Sequence, residues 1–164
     1  MKKIIYLILV LLWMGLIFYF SNMISYESDE KSDKVIDSTV IKIARFFKSN
    51  LTEEQEYKVY IYSIYPVRKA AHAFEYFVLF ILVFLFINCY EIDFKKKLIY
   101  SIVICVLYAI SDEVHQLFVP GRDGNVMDVV VDSLGSFIGL LGVTIFKKKK
   151  LKNNSWVFIW KALQ

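Results

Sequence analysis

Four apolar runs, each followed or preceded by a polar segment, organise the chain. The first, Ile4 to Phe20, is uncharged over 17 residues, long enough for a helix to cross a hydrocarbon core of roughly 30 Å. The second, 70–88, is uncharged from Tyr76 onward but carries His72 and Glu75 in its first turns. The third, Leu98 to Ile110, is too short alone and must continue through Ser111-Asp112-Glu113-Val114-His115, giving a span over 98–115. The fourth, 126–146, holds Asp128 and Asp132 near its start. The pattern predicts an all-α integral membrane four-helix bundle, one domain over 1–164, with three of its spans polar at one end only.

Between spans one and two, the segment 21–67 has mixed charge and no glycine, which argues against a flexible linker and for helix. Ile36, Val40, Ile43 and Phe47 recur at helical spacing, predicting an amphipathic helix over 33–48 that lies on the membrane or caps the bundle. Thr52-Glu53-Glu54-Gln55 is a capping-box pattern. It predicts a second short helix, rich in interface-seeking Tyr57, Tyr60, Tyr62 and Tyr65 and ending before Pro66. The tail 147–164, with Trp156, Phe158 and Trp160, is expected along the cytoplasmic interface.

Composition supports the membrane reading: 57% of the residues are hydrophobic and 17% aromatic, and mean hydropathy is +0.49. The net charge of +4 would suit a nucleic-acid partner if the basic residues formed one patch. Their positions exclude that. Lys2, Lys3, Lys95 to Lys97, Lys147 to Lys150 and Lys152 flank alternate loops, and lysine beside a span is retained on the cytoplasmic side. Both termini are therefore expected in the cytoplasm of a multi-pass membrane protein. The inner side then holds eleven lysines and two acids, +9, and the outer side, spans' outer ends included, −5 with all three arginines and both histidines. After Phe20 no small-x-small cleavage site stands out, so span one is expected to stay uncleaved. Cys89 and Cys105 fall away from the oxidising side, and no disulfide is expected.

The polar residues converge on that outer end. Arg68, His72, Glu75 and Leu79 share one helical stripe on span two. On span three, Asp112, His115 and Gln116 stand at i, i+3 and i+4. On span four, Asp128, Asp132, Gly135 and Gly139 lie within about 60° of one another at 100° per residue, and glycines at that spacing let another helix approach closely. The loop Val119-Pro120-Gly121-Arg122-Asp123-Gly124 is turn chemistry that places Arg122 over the pocket, Asp123 being a turn former. Lys69 and Glu113 are expected at the solvated margin. Ion pairs holding helix ends together would explain part of this, but so many ionisable groups inside a bundle point to a task.

Arginines suit phosphate or carboxylate, and histidine beside a carboxylate suits general acid/base work. The candidate set is therefore His72, Glu75, Asp112 and His115 for catalysis, with Arg68, Gln116, Arg122, Asp128 and Asp132 for binding. His72-x-x-Glu75 and Asp112-x-x-His115 also have the spacing of helix-bundle metal sites. The first pair is reversed in order and the arginines oppose a cation, so no metal and no other cofactor is assigned, a divalent cation remaining the lesser alternative. Zinc-protease and phosphate-loop motifs are absent. Ser111, four residues before His115, lacks an elbow motif.

These blocks together resemble the VanZ-like membrane proteins, a family named for a teicoplanin-resistance protein. The resemblance rests on Phe20-Ser21 with Ser28 and Ser32, on Arg68-Lys69-Ala70-Ala71-His72-Ala73-Phe74-Glu75-Tyr76, on Ser111 to Gln116 running into Val119 to Gly124, and on Asp128, Asp132, Gly135 and Gly139. It covers roughly Phe18 to Gly142. It implies a small polytopic bacterial envelope protein, in some relatives tied to lowered susceptibility to lipoglycopeptides such as teicoplanin, and it supplies no reaction type. The function expected is binding or modification of an anionic lipid-linked envelope molecule at the outer pocket. A non-catalytic glycopeptide- or lipid-binding accessory protein and a structural partner of another membrane protein are the alternatives. Membrane lipids, a lipid-linked precursor or a lipoglycopeptide are the expected partners, and nucleic acid is not.

Overall fold

The computed structural model describes residues 1–22, 36–48, 50–120 and 124–162. Helix is the only regular structure among them: α1 (Lys2–Ser21), a wide π-type turn (Ile36–Val40) leading into α2 (Ile41–Phe47), α3 (Glu53–Ile87), α4 (Phe94–Gln116) and α5 (Val126–Ala162). Four of these, α1, α3, α4 and the Val126–Lys149 part of α5, are long and apolar enough to cross a membrane. The expected all-α four-helix membrane bundle is the architecture found.

Helix α3 is the central stave, packing most extensively on α5 and also on α1 and α4. Its inner stripe of Tyr76, Leu79, Phe80, Val83, Phe84 and Ile87 is buried and meets Cys105 and Ala109 of α4 and Val10 and Ile17 of α1. At the crossing with α5 the backbones touch. A Cβ placed on Gly135 would collide with the Ala73 carbonyl, its carbon only 2.7 Å away, and one on Gly139 would lie 2.8 Å from Phe80 Cδ1. The two glycines predicted to admit a neighbouring helix do so, and α3 is that neighbour. Large apolar side chains such as Leu12, Phe74, Leu107 and Ile138 point outward, a surface suited to acyl chains and not to water.

Helix α1 is tied on by aromatic donors. Trp13 Nε1–H donates to the Glu75 carbonyl at 2.9 Å and Tyr108 O–H to the Met14 carbonyl at 2.6 Å. Lysines 3, 97 and 147 gather at one end of the bundle, where Lys3 sits over Tyr90, Lys147 over Phe94, and Lys97 Nζ donates to Asn88 Oδ1 at 2.8 Å. The acids and histidines of α3, α4 and α5 lie at the opposite, polar end.

Two expectations are corrected. The helix begun at Thr52 does not end before Pro66. The capping box is present, Gln55 N–H reaching Thr52 Oγ1 and Thr52 N–H reaching Gln55 Oε1, with Glu53, Glu54 and Glu56 in the first turn, where acids complement the helix dipole. From there α3 runs unbroken through Pro66 to Ile87. Proline removes the N–H that would serve the Tyr62 carbonyl. Tyr62 is well exposed, so solvent or head groups can serve that carbonyl instead. Second, the expected stripe is rotated over the described residues 36–48, residues 33–35 of that expectation lying outside them. Ile36 and Ile41 are buried, whereas Ile43 is exposed, because a π-type turn takes an extra residue and shifts every later side chain around the axis. At the far end α5 continues as helix to Ala162.

Candidate functional site

Helix α3 brings the basic edge. Arg68, Lys69 and His72 are half-buried, and Lys69 Nζ pairs with Asp128 Oδ1 in the first turn of α5. The turn is set by Asn125, whose Oδ1 accepts from the Met127 N–H at 2.9 Å. Lys69 therefore does not stand at a solvated margin. Its short reach across the glycine crossing to a carboxylate fixes it instead. One helical turn along, His72 Nδ1 lies 3.8 Å from Asp132 Oδ1, and the Asp132 side chain is wholly buried. Neither Asp132 oxygen has a hydrogen-bond donor among the described residues.

Helix α4 supplies the other carboxylates. Asp112 and Glu113 are buried together with Gln116, and Gln116 Nε2 donates to Asp112 Oδ2 at 3.3 Å. Glu113 was expected in solvent. It is turned inward, with Oε2 accepting from the Asn125 N–H at 2.8 Å, because the buried face of α4 is marked by Ser101, Cys105 and Ala109. That face is centred nearer Glu113 than the Asp112, His115, Gln116 face assumed from spacing. The small residues at Ser101, Cys105 and Ala109 were the available signal, since small side chains at helical spacing allow close packing. As a result one oxygen or more of each of Asp112, Glu113 and Asp132 lies within 4.8 Å of the others.

His115 falls at the opposite edge of that face, half-buried and stacked on Phe18 of α1 at 4.4 Å between ring centroids. Glu75 is half-buried within electrostatic reach of Asp112, and its carbonyl, not its carboxylate, receives Trp13. Tyr76, absent from the predicted set, is wholly buried and within electrostatic reach of Asp112 and Asp132. Ser111 is exposed and its Oγ donates to the Tyr108 carbonyl, an engaged hydroxyl with no base beside it in the described geometry.

Arg122, with Gly121 and Asp123, lies outside the described residues, as do Ser28 and Ser32. Around them, Val119 is buried and Gly124 comes close to the Glu113 carbonyl and the Leu117 side chain, so the start and finish of this loop fold back onto the end of α4.

The site thus joins eight carboxylate-, amide- or imidazole-bearing residues from three helices, three of them a buried carboxylate trio, with a cationic edge on α3. Such a set can move protons or hold a cation, and its rim can receive an anion. A family model described as VanZ/LLP1 matches residues 6–147. No curated protein and no solved structure matches the chain.

Proposed function

The chain belongs to the VanZ/LLP1 family, and from that premise we propose that its polar end receives the anionic head group of a lipid-linked envelope molecule at the outer leaflet of a bacterial cytoplasmic membrane. The observation that carries the reading is the basic edge of α3, where Arg68, Lys69 and His72 are half-buried beside the wholly buried Asp132. Groups so costly to place within a bundle are kept for a task. Arg68 offers a planar guanidinium for phosphate or carboxylate, and Arg122 is assigned the same role from its loop. Where the bound molecule is converted, His72, facing the Asp132 carboxylate, and His115, stacked on Phe18, are the proton carriers. The lysine end and both termini face the cytoplasm in this reading. Lowered susceptibility to lipoglycopeptides such as teicoplanin then follows from withholding or altering the envelope molecule that such a drug meets.

The test is purification in nanodiscs charged with extracted envelope lipids, followed by mass spectrometry of what the protein retains, with Arg68→Ala and His72→Ala alongside. The expected result is an anionic lipid-linked species enriched by the wild type and lost from Arg68→Ala. Conversion by the wild type but not by His72→Ala makes the protein an enzyme; unchanged retention makes it a binder. Identical lipid profiles for wild type and Arg68→Ala would overturn the reading.

A further inference from the structure

Three carboxylates in one buried place repel one another strongly unless something positive lies among them, because low local dielectric magnifies the charge. Of the basic groups on α3, Lys69 is paired with Asp128, and His72 Nδ1 lies 3.8 Å from Asp132 Oδ1. The arrangement of the carboxylates is itself specific. Gln116 holds Asp112 by Oδ2, and the Asn125 N–H holds Glu113 by Oε2, as outer donors orient the ligands of a metal. Glu113 keeps Oε1 buried without a donor among the described residues, and Asp132 keeps both of its oxygens so. An independent group points to the same place. Tyr76 is wholly buried, its hydroxyl has no hydrogen-bond partner among the described residues, and it lies within electrostatic reach of Asp112 and Asp132.

We propose that Asp112, Glu113 and Asp132 bind one divalent cation of the hard, oxygen-preferring class, Mn²⁺, Mg²⁺ or Ca²⁺, with the Tyr76 hydroxyl beside it and His72 at its edge. The ligand oxygens lie within 4.8 Å of one another, about the distance between oxygens opposite each other on an ion with ligands at roughly 2.3–2.6 Å. All three donors are carboxylates, which select this class over soft metals. The cation answers the buried oxygens of Glu113 and Asp132 that have no donor among the described residues, and the remaining negative charge faces the basic edge of α3. The site goes beyond the lipid reading and does not depend on it. It also uses Glu113, which spacing alone leaves out.

The test is Mn²⁺ titration of the full chain in nanodiscs of uncharged lipid after chelator treatment, read by electron paramagnetic resonance. One Mn²⁺ per chain is expected, displaced by Ca²⁺ or Mg²⁺. Asp132→Asn and Glu113→Gln should each weaken binding at least about tenfold, while Glu91→Gln at the lysine end leaves it unchanged. Size-exclusion retention and circular dichroism check that each variant is folded. Where a variant does not fold, the wild type decides: a thermal transition raised by Mn²⁺ and lowered by chelator supports the site. Absence of stoichiometric Mn²⁺ on folded wild type, or equal binding by folded Asp132→Asn, overturns it. Loss of lipid retention with metal binding intact would defeat the lipid reading alone.

Discussion

His72 and Asp132 face each other across the α3–α5 crossing at 3.8 Å, Nδ1 to Oδ1, next to the point where Ala73 and Gly135 bring the two backbones into contact. The spacing of the two polar groups is set by that backbone contact and not by their own attraction. Anything that widens the crossing therefore disturbs the site and the fold together.

Gly135→Ala should be the most damaging single methyl in the bundle. Its Cβ would meet backbone of Ala73, which cannot swing aside, whereas a Cβ on Gly142 meets nothing within 4 Å. Overpacking of this kind costs about 1–3 kcal/mol. Gly142→Ala should be neutral or stabilising by up to about 1 kcal/mol through helix propensity. Thermal unfolding of both variants in the same detergent checks the contrast.

The Lys69–Asp128 pair, whose side chains are 14% and 15% exposed, should behave as a nearly buried ion pair. Lys69→Met alone leaves a carboxylate without its partner, and a loss of about 1–3 kcal/mol is expected, less than the roughly 3–5 kcal/mol of a fully buried pair. The double variant Lys69→Met with Asp128→Leu should recover most of that loss. A double-mutant cycle by thermal or denaturant unfolding reads it directly.

Removing the Trp13 and Tyr108 donors should loosen α1 selectively. The carbonyls of Glu75 and Met14 that accept them sit within helices and keep their helical partners, so each loss should be about 1 kcal/mol. Hydrogen exchange by mass spectrometry on Trp13→Phe with Tyr108→Phe should show faster exchange in Lys2–Ser21 and little change in Phe94–Gln116.

Pro66→Ala should stabilise α3, since an interior proline costs roughly 3 kcal/mol where its missing donor and ring are uncompensated. Thr52→Ala should lose about 1 kcal/mol by removing the capping box. Both are checked by unfolding, with helical content followed at the same time.

The four spans were legible in the sequence because a run such as Ile4 to Phe20 has no polar escape, and Asp132, Gly135 and Gly139 could be put on one buried face because all three obey one period. Glu113 was not legible. On a helix, Asp112 and Glu113 are about 100° apart, and choosing His115 as the guide to the inner face turned Glu113 outward. The small residues Ser101, Cys105 and Ala109 carried the better orientation. Pro66 misled for a different reason. A stop rule assumes that the helix has nothing to gain by continuing, whereas α3 continues into the apolar stripe from Tyr76 to Ile87 that holds the bundle together. The site's loop residue, Arg122, lies outside the described residues, and its role rests on the proposed function.

Helix α3 has 35 residues, about 52 Å at 1.5 Å per residue, against a hydrocarbon core of roughly 30 Å. Some 20 Å of it must stand clear of the acyl chains as a mast rooted in the bundle. Arg45 of α2 grips this mast through two hydrogen bonds to Glu56, at 2.6 and 2.8 Å. The chain thus carries a ruler of its own. Helix α2 itself is thereby held at a set altitude over the membrane, and shortening the mast by whole turns would lower it in steps of about 5.4 Å.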